Sequence, residues 1–180
     1  MLRITVPGGE LWDEGKLEFV YAKDQQLQLE HSLVSLSKWE SKWNKPFISK
    51  EEKTFEETID YIKCMTLTQN VKPEVYTRLT EQNLNEITDY INAPMTATIL
   101  STSKNKEVNR EIITSEIIYH WMIALDIPFE CQKWHLNRLI KLVEVVGIKN
   151  APEKKMSTKE TTEYYARLNA ERRKKLNSKG

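Results

Sequence analysis

A mainly α protein, a helical bundle with a short N-terminal β-hairpin, is the fold class the sequence predicts. Three observations lead there. Apolar residues recur at spacings of three and four over several long segments, the period of one helix face. Alternating runs of β-branched and aromatic residues gather near the N-terminus. Five glycines and six prolines in 180 residues are too few for a loop-rich all-β chain.

The elements follow in order. Leu2 to Val6 and Leu17 to Tyr21 alternate, with PGGELWDEGK between them, which predicts a small hairpin with a long tip or two short strands. Two strands alone are marginal in water, so they must lean on the helices that follow. From about Gln26 to Asn44 the apolar positions are Leu29, Leu33, Leu36, Trp39 and Trp43, a helical spacing that Pro46 closes. Ser49 with Glu52 and Thr54 with Glu57 are both capping-box pairs. The helix they introduce is expected to bury Phe55, Ile59 and Ile62. Pro73 begins a short helical turn, and Thr80 caps a helix through Leu84, Ile87, Tyr90 and Ile91 that ends at Pro94. MTATIL is a short strand or an extended connection, followed by a polar loop.

Asn109 is the expected N-cap of a helix over 111–126 that is apolar on nearly every face and therefore central. Pro128 at a first helical position, with Glu130 in the first turn, starts a helix over 129–146, and Gly147 is the expected C′ residue. The helices near 28–44, 54–67, 111–126 and 129–146 are thus expected to pack around 111–126, and Trp121→Ala to cost about 3–5 kcal/mol. After Lys149 core-sized apolar residues become sparse. Ser157 and Glu160 cap one further helix near 157–175. The expected organisation is an N-terminal hairpin at 1–25 packed on the bundle, a helical core domain at 26–149, and a basic, loosely attached C-terminal helix at 150–180.

Composition bounds the function. An apolar fraction of 39%, a charged fraction of 29% and a mean hydropathy of −0.58 describe a soluble globular chain. Two cysteines make no disulfide framework. The opening residues have no apolar h-region, so no signal peptide is expected. The most apolar run, Ile117 to Ile127, is too short to span a bilayer. A net charge of +1 offers no global attraction to nucleic acid.

Cys131 and His135 are four apart on one predicted helix, and His120 precedes them, with Cys64 the remaining soft ligand. Neither a CxxC nor an HExxH accompanies them, so no metal, cofactor or catalytic thiol is expected, and these residues pack instead. Phosphate-binding glycine motifs are absent as well. Trp39 and Trp43 fall on an apolar stripe, either as core or as the lining of a groove for a partner helix. The block Arg172, Arg173, Lys174 and Lys175 is either a solvated helix end or an arm for an acidic partner. These six residues are the candidate partner-binding set.

Three blocks, LQLEHSLVSLSKWESKWNKPF, NREIITSEIIYHWMIALDIPFECQKWHLNRLIKLVEVVGIKN and LNAERRKKLNSKG, resemble a family of small proteins encoded among the virion genes of long-tailed bacteriophages (siphophages) and prophages. The resemblance covers most of the chain from Leu27 onward and includes the strands before it. It implies no catalytic motif. It implies a helical, non-enzymatic tail assembly chaperone that binds the tape measure protein or other tail proteins, in the cytoplasm of the infected bacterium or with the virion. A head–tail connector or tail-completion protein is the neighbouring expectation, a homo-oligomer is compatible with either, and a small Cys/His metal protein or enzyme is the contrasting one.

Overall fold

The computed structural model describes residues 1–13, 15, 17–99, 112–150 and 158–176. It is mainly α with a small antiparallel β region at the N-terminus, as the sequence predicts. The chain divides into two compact units, Met1–Ile148 and Lys149–Gly180.

In the first unit β1 (Leu2–Val6) pairs antiparallel with β4 (Gln25–Leu29), placing Ile4 opposite Leu27. A second ribbon, β2 (Gly9–Asp13) with β3 (Glu18–Ala22), is nested between them. This corrects two expectations. The partner of Leu2–Val6 is not Leu17–Tyr21, and residues 25–29 are strand rather than helix. Leu27 and Leu29 alternate with glutamines, and this period-two pattern puts both leucines beside Ile4 and Val6 in the core while Gln26 and Gln28 face out. Leu29 is also four residues before Leu33, so it satisfies the helical spacing as well. Gly8 makes the nesting possible. Its N–H donates to Asp24 Oδ1 at 2.7 Å, and a Cβ there would lie 2.4 Å from the Ala22 carbonyl oxygen.

Helix α1 (Leu33–Trp43) starts at Ser32, whose hydroxyl and backbone are reciprocally bonded with Ser35. Helix α2 (Phe55–Met65) is capped by Thr54 and Glu57 as predicted. The Ser49 and Glu52 pair starts no helix. The α2 stripe also shifts: Tyr61, Ile62 and Met65 are buried, Ile59 is half-buried, and Phe55, in the first turn, is 72% exposed. A 3₁₀ turn, Pro73–Arg78, leads to α3 (Glu81–Asn92), capped by Thr80. Asn83 of α3 donates to the Thr5 carbonyl at 3.2 Å and so ties α3 to β1. Residues 95–99 are an unpaired connection, not a strand.

The helix expected over 111–126 is shorter. α4 spans Ser115–Ala124 after Thr114; Asn109 lies outside the described residues. It is not central. Its buried residues are Ser115, Ile118 and Met122, while Ile123 is exposed and Trp121 only half-buried. Trp121 is therefore not the core anchor expected. That place belongs to α1, because Trp39 packs in a cluster with the β1–β4 pair, Tyr61, Ile62, Val75, Ile87 and Tyr90, whereas Leu33 and Leu36 pack in a second cluster with Ile118, Met122, Leu136 and Leu139.

The helix expected over 129–146 is broken. A 3₁₀ turn, Phe129–Lys133, stops at Trp134, and α5 (Leu136–Asn150) begins after His135. The break exists because residues 135–136 bond elsewhere. His135 bridges Ser32, and the Leu136 N–H donates to the His31 carbonyl at 2.7 Å. α5 runs on through Gly147, which is helical and not a C′ residue. In the second unit α6 spans Thr158–Leu176, and Ser157 lies outside the described residues. Among the described residues no helix is long and apolar enough to cross a membrane.

Candidate functional site

The six predicted partner-binding residues occupy very different surroundings. Trp39 is buried, its Nε1 donating to the Glu57 carbonyl at 2.9 Å, and its ring meets Phe47 edge-on at 5.1 Å. A partner cannot reach it without opening the α1–α2 packing, so it is core and not a contact surface. Trp43 is half-buried and donates to Asp60 Oδ2 at 3.0 Å; Lys42 Nζ bonds the other Asp60 oxygen at 2.5 Å. Burial works to raise the Asp60 carboxyl, but the bonds from Lys42 and Trp43 outweigh it and hold it below its ordinary value. Lys45 and the Thr54 N–H hold Glu57 low in the same way. These interactions join α1 to α2. Arg172, Arg173, Lys174 and Lys175 are exposed in the last turns of α6.

The residues weighed as metal ligands do not converge. His120 is exposed on α4, Cys131 is buried in the 3₁₀ turn, and His135 sits beyond that turn, so the predicted Cys131–His135 helix face does not form. Among the described residues no group of three His, Cys, Asp or Glu is placed to hold a metal ion.

His135 instead pairs with a residue that the spacing of the sequence did not single out. Its ring lies 5.1 Å from that of His31, edge to face, where the α1 and α5 starts meet. His31 Nδ1 is 2.5 Å from the Tyr61 hydroxyl of α2, and His135 Nε2 donates to the Tyr90 carbonyl of α3 at 2.9 Å. Asn137 continues the seam by donating to the Ile91 and Ala93 carbonyls. Burial lowers the His31 pKa to about 3, with the neighbouring His135 adding to the effect, and burial lowers His135 as well. Both imidazoles are therefore neutral at pH 7. His31 lines one wall of a cleft of about 250 Å³ with Phe47, Ile48, Ile91, Leu136 and Ile140. Such a cleft suits an uncharged, mainly apolar group.

A second buried polar centre is Glu40 of α1. One carboxylate oxygen accepts from the Phe47 N–H at 2.8 Å and the other from the Ser115 N–H at 2.7 Å. It caps α4 across the fold, where Thr114 makes no side-chain cap of its own. In KWESKW it reads as a solvated charge, and only the fold reveals it.

A run of exposed apolar side chains lies elsewhere in the first unit. Leu17 in the turn of the nested ribbon is 74% exposed, Phe19 and Tyr21 on β3 are 69% exposed each, and Val20 is exposed beside them. Ile112, Ile123 and Phe129 are also exposed. Phe19 and Tyr21 share one face of β3 by the period of a strand, Val20 lies on the other, and Leu17 stands in the turn before it with φ 54°. Alternation marks this strand in the sequence, but the sequence does not tell that the core lies on neither face of it. Compared with protein-family models, with curated proteins and with solved structures, the chain matches none.

Proposed function

We propose that the protein is a non-enzymatic tail assembly chaperone of a long-tailed phage, binding the tape measure protein through apolar contacts until the tail tube assembles around it. One structural observation supports this reading most: the β2–β3 ribbon carries Leu17, Phe19, Val20 and Tyr21 exposed. Exposed apolar side chains gathered on one short element mark interaction sites, because leaving them in water is costly unless a partner covers them. A tape measure helix has the complementary property, an apolar stripe that aggregates when unaccompanied. A ribbon with aromatic side chains gives large contact area with few rotors to freeze. The family resemblance supplies the identity of the partner.

Co-expression tests it. The full chain is expressed with the tape measure protein of its own gene cluster, and soluble complex is measured by affinity capture. Replacing Leu17, Phe19 and Tyr21 together by Ser should weaken capture by about a hundredfold, as for loss of a hot-spot cluster, with an unchanged melting temperature. Full capture by this variant would sink the reading. Recovery of the protein in finished virions, with no tape measure complex, would favour the connector alternative.

A further inference from the structure

We infer that the basic end of α6 docks on the outward face of α3 in a second copy of this chain, so that copies associate head to tail through complementary charge. This does not rest on the tape measure reading. Charge is divided unevenly along the chain. Residues 149–180 hold ten lysines and arginines against four glutamates, which leaves seventeen against twenty-two in residues 1–148. The excess is concentrated at one end of α6, where Arg172 to Lys175 are consecutive, encircle the helix and form no ion pair among the described residues. Tyr164 and Tyr165, both more than half exposed, lie earlier on the same helix.

α3 is the complement. It has no lysine or arginine in its twelve residues, and Glu81 and Asp89 are exposed with no ion pair among the described residues. Glu86 accepts a hydrogen bond from Gln82 at 3.0 Å, and Arg3, which shares a cleft with Glu86, forms no ion pair with it. Asp89 lies in the last turn, where the helix dipole disfavours an anion. α1, α2 and α5 each carry a lysine in that turn, Lys42, Lys63 and Lys149, whereas α3, like α4, carries none. The cation missing from α3 is what the end of α6 has in surplus. Every copy carries both faces, so concentration alone brings them together, and the contact joins two different surfaces rather than one surface to itself.

The test uses full-length protein and light scattering after gel filtration. Wild type should show a mass above the monomer that rises with concentration at low ionic strength and falls to the monomer near about 1 M salt, where screening acts within about 3 Å. Reversing the donor (Arg172, Arg173, Lys174 and Lys175 to Glu) or the acceptor (Glu81, Glu86 and Asp89 to Lys) should each weaken self-association about tenfold or more, since several individually weak exposed pairs are lost together. Mixing the two variants should restore association, because the reversed faces complement each other again. Circular dichroism checks that each variant folds, and Gln or Asn replacements at the same positions serve if a reversal does not. A wild type that stays monomeric at every concentration, a donor reversal that leaves the mass unchanged, or a mixture that stays monomeric would each overturn the inference. A monomer whose α6 retains a DNA oligonucleotide would assign the basic end to nucleic acid instead.

Discussion

His31 and His135 share a site that disfavours their charged forms, and this couples the fold to pH. The folded pKa of His31 is about 3 against an ordinary 6.5, and that of His135 is shifted in the same direction. A group whose folded pKa is depressed binds protons more readily when unfolded. Its contribution is therefore complete above pH 6.5 and is lost as pH falls below it. Near pH 5 the loss from His31 alone amounts to about 2 kcal/mol. The carboxylates that salt bridges hold low, Glu57 and Asp60, begin to matter only at lower pH. Urea unfolding at pH 7.5 and pH 5 should show this drop, and His31→Gln should flatten it; an unchanged slope in that variant would place the titration elsewhere. Little of this was legible beforehand. His31 and Glu40 look like polar residues between apolar ones, and only contacts from segments far along the chain, Tyr61 and Ser115, turn them into buried groups.

At the scale of elements, what could be read from sequence was what local chemistry decides. The Thr54–Glu57 and Thr80 caps are found where predicted, because a cap needs only residues within one turn. What could not be read was decided by distant partners. Residues 25–29 became strand because β1 was there to pair with, and the helix expected from Phe129 broke at Trp134 because the His31–Ser32 backbone recruits residues 135–136. α4 is less central than its sequence suggests, because its isoleucines lie on every face while the fold covers one. The docking of α4 depends instead on Glu40. Glu40→Ala would leave the buried Ser115 N–H and the half-buried Phe47 N–H without this acceptor and should cost about 1–3 kcal/mol for the buried group, with a smaller loss for the half-buried one. Thermal unfolding gives the total, and hydrogen exchange at those two amides should accelerate first.

For the whole molecule the division at Ile148 predicts that the first unit stands alone. Both hydrophobic clusters draw only on residues before that point. Ending the chain after Asn150 should thus leave the unfolding free energy within about 0.5 kcal/mol of the full chain, the range of changes away from a core; loss of cooperative unfolding would show that residues after 150 contribute to it. The nested ribbon has a different consequence. Val6 and Gln25 face each other as the last pair of the β1–β4 ladder, so the eighteen residues between them leave the core and return to nearly the same point. Among the described residues, neither hydrophobic cluster draws on this excursion. An arm built this way can lengthen, shorten or change its tip from one lineage to the next at the small, logarithmic cost of closing a longer loop. The sequence of the arm can therefore change while the fold that carries it stays as it is.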